Sequence, residues 1–233
     1  MIIGINAGHT MSGQPGCGAV GYLNESDETR AVSKRLIDLL CRAGHTVYNC
    51  TNDIASSTLA NLQNICILAN AQKLDLFISI HFNAGGGQGC ECYTYGAQEH
   101  TEAIRINQKL NELGFKNRGI KDGKNLFVIK NTKAKSILVE VCFVDSQSDA
   151  KLYQEIGPDK IAEAICEAII GEVPEIEPIK KIETSNDIIW ELMNGEHKIE
   201  IQDVDKAINF LEKARKEDSS LYWILYKLIN RGR

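Results

Sequence analysis

Two short runs in this chain are apolar at consecutive rather than alternate positions: Leu76-Phe77-Ile78 leading to Ile80, and Ile137-Leu138-Val139 leading to Val141. A strand with one covered face alternates apolar and polar residues, whereas runs like these belong to strands buried on both faces. Each run also carries a residue that is costly to bury. "LFISIHFNA", residues 76–84, delivers His81 and Asn83 to the end of its strand, and "SILVEVCFV" embeds Glu140 among apolar neighbours. A carboxylate in such a strand costs several kcal/mol unless a charge or a metal compensates it. In an open α/β sheet the C-terminal edge of the strands is where ligands bind.

The rest of the first 171 residues supplies the cover. "MIIGI", "HTVYNC", "GCECYTYG" and "LFVI" read as further strands. "ETRAVSKRLIDLLCRAG", "SSTLANLQNICILANAQKL", "QEHTEAIRINQKLNELG" and "PDKIAEAICEAIIG" read as amphipathic helices with capping serines, a Pro near the first turn of the last, and stops at Gly44, Gly114 and Gly171. This alternation predicts an α/β fold: a mostly parallel twisted sheet flanked by helices. Residues 172–184, with two prolines and alternating charges, read as a linker. Residues 185–233 read as a small C-terminal three-helix domain carrying Trp190, Tyr222, Trp223 and Tyr226. Those aromatics are expected to pack its core. A sugar-stacking face for cell-wall binding and self-association through these helices are the alternatives.

Composition narrows the partners. A net charge of −5 over 233 residues gives no concentrated basic surface for nucleic acid. No apolar run reaches the length of a membrane span. "MIIGINAGHT" reads as a first strand rather than a signal peptide, so the expected location is cytoplasmic as synthesised. Of eight cysteines, only Cys90 and Cys92 have spacing that can pair on a metal, and the reading favoured is small buried hydrophobes in a reducing compartment.

At the expected C-terminal strand ends stand His9, in "NAGHT", and His81, with Glu25 and Glu28 just ahead of the first helix and Glu140 in the last strand. Two histidines and one carboxylate from separate loops form the donor set of a catalytic zinc site, which keeps one position open for water. A further, non-ligating carboxylate is then the base that works on that water, and Glu140 is the candidate.

These residues resemble the zinc-dependent N-acetylmuramoyl-L-alanine amidases of the Amidase_3 type, over about residues 1–171. The motifs are "IGINAGHT", an acid ahead of the first helix, "DLFISIHFNA" at 75–84 and "ILVEVCFVDS" at 137–146, in the family's order. The chain looks closest to the compact amidase domains of clostridial phage endolysins and autolysins. The resemblance implies that Zn²⁺ is bound by His9, Glu25 and His81, since counting back from Gly44 selects Glu25 over Glu28. It implies that Glu140 is general base and acid, and that the substrate is bacterial peptidoglycan, reached after release from the cell. Two departures stand out: Asn6 replaces an acid frequent before the "GH", and "AGHTMSGQPGCGAVG" replaces a glycine-rich continuation.

Each of these residues has a blander reading as well. Glu25 and Glu28 both suit the first turn of a helix, and Glu140 can pair with a cation such as Lys135. Asn83 either contacts substrate or caps its loop. Arg118 and Lys121, in "NRGIKDGKNLFV", read as a solvated basic loop rather than an anchor for an anionic peptide. A zinc peptidase cutting another wall amide and a non-catalytic wall-binding module are the alternative functions.

Overall fold

Strands buried on both faces need neighbours, and six are present. The computed structural model describes residues 1–171 and 173. Within them run β1 (Ile2–Ala7), α1 (Glu25–Arg42), β2 (Thr46–Asn49), α2 (Thr58–Asn70), β3 (Leu76–Asn83), β4 (Cys90–Thr94), α3 (Thr101–Glu112), β5 (Asn117–Asp122), α4 (Phe127–Asn131), β6 (Lys135–Phe143) and α5 (Gln147–Ile170). The strands form one sheet in the order β2-β1-β3-β6-β4-β5. All pairings are parallel except β4 with β6. The expected mostly parallel sheet is therefore found, with the two apolar runs, β3 and β6, side by side at its centre.

Each face of the sheet has its own apolar cluster. Ile3, Ile5, Leu76, Ile78, Ile80, Ile137 and Val139 pack on one face with Leu36 and Leu39 of α1, Ile106 of α3 and Ile161 and Ile165 of α5. Phe77 and Leu138 pack on the other with Ile65 and Cys66 of α2 and Val128 and Ile129 of α4. Since alternate residues share a face, Phe77, Ser79 and His81 form one row, and Leu138 and Glu140 the next. The apolar cluster on this face ends at Phe77 and Leu138. From there to the C-terminal edge the same face is polar: Asn6 beside Ser79, His81 beside Glu140, and Glu91 of β4 opposite Glu140. The half of the face left outside the α2/α4 cluster is where the chain places its chemistry.

Three local expectations are corrected. "LFVI" is not a strand; Phe127–Asn131 is the short helix α4. "NRGIKD" is not a basic loop but the edge strand β5. The last helix starts at Gln147, capped by Ser146, and bends at Gly157 (φ 79°) ahead of Pro158. The Cys90 and Cys92 thiols face the α3/α5 cluster, and burial pushes Cys90 up to about 12 and Cys92 well above the ordinary thiol value, as for inert core residues. No described helix is long and apolar enough to cross a membrane. The linker and three-helix expectations for 172–184 and 185–233, with the self-association expected of those helices, fall outside the described residues.

Candidate metal centre

β1 ends at Ala7, and the chain turns sharply through Gly8 and His9. His9 adopts a left-handed backbone (φ 65°), unusual for a residue with a Cβ and a mark of a constrained functional position. This turn swings the imidazole over the sheet edge. Its Nδ1 lies 3.1 Å from the carbonyl of Gly16. A carbonyl only accepts, so Nδ1–H donates and the lone pair sits on Nε2. That Nε2 lies 2.9 Å from Glu25 Oε1.

Glu25 is the first residue of α1, immediately after its cap Asn24, whose side chain accepts from the Ser26 N–H. Its carboxylate is buried and well tied. Oε2 accepts from the Ala19 N–H at 2.9 Å, and Oε1 from the Phe82 N–H at 3.2 Å. His81 Nδ1 stands 3.2 Å from the same Oε1. Burial alone would raise the Glu25 carboxyl, but the His81 and His9 rings beside it outweigh burial and hold it well below the usual carboxylate range. Burial in turn pulls His81 below the usual imidazole value, opposed by Glu25, and so favours a neutral ring. One ligating atom from each of His9, Glu25 and His81 can be chosen so that all three lie within 4.8 Å of one another. The two imidazoles meet edge to face, 4.8 Å between centroids.

The residues fit a tetrahedral metal such as zinc: two imidazoles and one ionised carboxylate, converging from three separate elements. The backbone is shaped for that approach. A Cβ on Gly8 would collide with the His81 ring at Cε1 and Nε2. One on Gly18 would lie 2.6 Å from Glu25 Oε2 and 2.9 Å from His9 Cδ2. Only glycine leaves the cradle open at both places.

Glu140 sits beside His81 in the β3/β6 register, where the pairing shifts just beyond His81. Its Oε2 is buried and has no hydrogen-bond partner among the described residues. Burial first, and then the negative charges of Glu25 and Glu91, raise its carboxyl well above the ordinary value. Lys135 does not neutralise it; that ammonium pairs with Glu102 at 2.6 Å.

Glu28 lies outside the cluster, accepting from the Tyr153 hydroxyl at 2.7 Å. Asn83 is engaged within the protein at both ends of its amide: Nδ2 donates to Glu91 Oε1 (2.8 Å), and Oδ1 accepts from the Ala84 N–H (2.8 Å). Sequence reasoning overlooked Glu91. Its side chain is 3% exposed, and it accepts from Arg118 Nε (2.8 Å) and from the Tyr93 hydroxyl (3.0 Å). A lone acid in the alternating run "CECYT" carried the same signal as Glu140. Arg118 also lies 4.9 Å over the Phe143 ring.

Fold and site together define a class: a three-layer α/β protein with a two-histidine, one-carboxylate donor set at the C-terminal edge of its sheet and an unpaired acid beside it. The N-acetylmuramoyl-L-alanine amidase family profile matches residues 3–171. The N-acetylmuramoyl-L-alanine amidase LytC of Bacillus subtilis is 36% identical over 178 residues, covering 72% of this chain and 34% of that protein. An uncharacterised protein of Clostridium perfringens is 34% identical over 202 residues, covering 82% of this chain. The catalytic domain of the CD27L endolysin, which targets Clostridia difficile, superposes with a TM-score of 0.68 at 29% identity, over 75% of this chain and 99% of that domain. This chain belongs to the N-acetylmuramoyl-L-alanine amidase family. It spans 57% and 56% of the length of its two Clostridium perfringens relatives.

Proposed function

We propose that the chain is a zinc-dependent N-acetylmuramoyl-L-alanine amidase, which hydrolyses the amide between the lactyl group of N-acetylmuramic acid and the L-alanine of the peptidoglycan stem, in lysis of bacterial cells. The observation that carries the reading is the convergence of His9, Glu25 and His81 next to the unpartnered carboxyl of Glu140. In this reading the three residues hold the metal, and the chemistry a zinc ion supplies when held there is Lewis acidity toward a water and a carbonyl. Glu140 does the proton work. As a carboxylate it takes a proton from the attacking water while the new C–O bond forms at the lactyl carbonyl. As an acid it returns that proton to the alanine nitrogen as the C–N bond breaks, leaving a free carboxylate and a free amine. No covalent bond to the protein forms. Its raised proton affinity suits both halves, because a base that must soon act as an acid works best near the operating pH.

The test is product analysis on purified peptidoglycan, with a chelator-treated control. New L-alanine amino termini that vanish with chelator are expected. New termini on another residue would move the scissile bond to a different peptide link. No new terminus on walls of several bacteria would leave a wall-binding module instead. Glu140→Gln is expected to retain zinc and to lower kcat by about 100- to 10,000-fold; a fully active variant with normal metal content would remove Glu140 from the mechanism.

A further inference from the structure

The polar half of the sheet face contains two buried residues that take no part in the proton work above. Asn6 on β1 and Ser79 on β3 are register partners, both fully buried, one row below His81. Their hydrogen bonds can be solved from donor and acceptor inventory alone.

Asn6 Nδ2 points at two carbonyls, Ala7 O at 3.0 Å and Cys50 O at 3.4 Å. Carbonyls only accept, which assigns that end of the amide as the NH₂. The other end, Oδ1, faces Ser79 Oγ at 2.7 Å and can only accept, so the serine hydroxyl spends its single proton there. Ser79 Oγ is left with lone pairs alone toward His81 Nε2, 3.1 Å away. The contact is a hydrogen bond only if His81 carries its proton on Nε2. The lone pair of the neutral ring then lies on Nδ1, facing Glu25 Oε1 at 3.2 Å. With Glu25 ionised, that is acceptor against acceptor, an arrangement that becomes attractive when a cation stands between the two.

We propose that the Asn6–Ser79 pair is a positioning relay that fixes His81 as its Nε2–H tautomer and so presents Nδ1 as a donor atom; this rests on the metal-site reading above. The relay works against a specific competitor. A free His81 could instead protonate Nδ1 and donate to Glu25, closing the site on itself in a stable, metal-free pair. Ser79 taxes that state by leaving its own lone pairs facing an unprotonated Nε2. The two imidazoles are thus locked in opposite senses. The Gly16 carbonyl fixes His9 as Nδ1–H and frees Nε2, while the Asn6–Ser79 pair fixes His81 as Nε2–H and frees Nδ1. Asn6 is suited to this as an acid would not be, because its NH₂ is anchored by two carbonyls and its oxygen cannot rotate away.

The experiment is long-range proton–nitrogen correlation NMR on the full chain with nitrogen-15-labelled histidine, metal-free and in mildly alkaline buffer, with His81 assigned through His81→Asn. Wild-type protein is expected to show His81 protonated on Nε2. A ring protonated on Nδ1, or on both nitrogens, overturns the relay, and does so without any variant having to fold. Ser79→Ala is expected to shift the ring toward Nδ1–H and to weaken zinc affinity, measured by competition with a chromophoric chelator, by about 10- to 100-fold. Ser79→Thr, which keeps the hydroxyl, is expected to restore both. A folded Ser79→Ala protein with unchanged tautomer and affinity overturns the proposal. Failure of wild-type protein to bind zinc would overturn the metal-site reading instead, and the wild-type tautomer reports on the relay separately.

Discussion

Glu140 is held where burial works against it, and that has a measurable consequence in the metal-free protein. Its folded-state pKa is raised, so the folded chain keeps a proton that the unfolded chain releases near pH 4.3, the ordinary value for Glu. Stability is therefore lost as pH rises from about that value toward the folded pKa, and is fully present below it. Metal-free Glu140→Gln is expected to melt above wild type at neutral pH, by about 2–4 °C for each kcal/mol relieved, with the two melting curves converging in acid. Curves that stay parallel at every pH would mean that Glu140 is not a strained carboxylate. Glu25 and Glu28 separate just as cleanly. Glu25→Gln is expected to lose bound zinc in metal analysis, while Glu28→Gln, which only alters a bond to Tyr153, keeps it. At this scale the candidate site was largely legible, because His9, His81 and Glu140 are residues out of keeping with their apolar surroundings. Glu25 and Glu28 were not separable by chemistry, since both suit a helix N-terminus; family spacing singled out Glu25, and the geometry placed it in the cluster. Asn6 and Ser79 were illegible as a pair, because nothing in the sequence reveals which strands lie side by side.

Secondary-structure elements were readable where burial imposed a pattern. The central strands β3 and β6 announce themselves through consecutive apolar residues. β5 does not: it lies at the sheet edge, and edge strands are polar because unpaired backbone invites association. "NRGIKD" therefore looked like loop, and the apolar "LFVI" after it looked like strand, since a short apolar run has no period long enough to tell helix from strand. The antiparallel β4 makes the misread β5 important. β4 carries Glu91 to the side of Glu140, and among the described residues it is β5 that brings a cation to it, Arg118. Arg118 is about one-third exposed, but Glu91 is almost fully covered, so removing the cation strands a buried charge. Arg118→Ala is expected to cost about 2–4 kcal/mol in chemical denaturation, with zinc stoichiometry unchanged. A loss within the noise would mean that water replaces Arg118 and that the pair does not hold the strand edge together.

On the scale of the whole molecule, the question is how much chain the catalytic unit needs. Among the described residues, both apolar clusters take their buried members from residues 3–169 and α5 ends in a left-handed Gly171, and the family match also stops at residue 171. A chain of that length can bury a core large enough to fold alone. We propose that residues 1–171 are an autonomous amidase and that 172–233 act on where the enzyme works rather than on the chemistry. A protein truncated after Gly171 is then expected to unfold in one cooperative transition, to bind one equivalent of zinc, and to match the full chain in kcat/KM on soluble muramoyl-peptide fragments. On intact walls the two proteins separate if the C-terminal residues bind the wall: the truncated form clears them more slowly, and its co-sedimentation with walls falls. If those residues instead serve self-association, sedimentation velocity shows a smaller species after truncation while wall affinity per catalytic unit is unchanged. Loss of zinc or of cooperative unfolding in the truncated protein would refute autonomy, because it would mean that the sheet's chemistry depends on chain beyond α5.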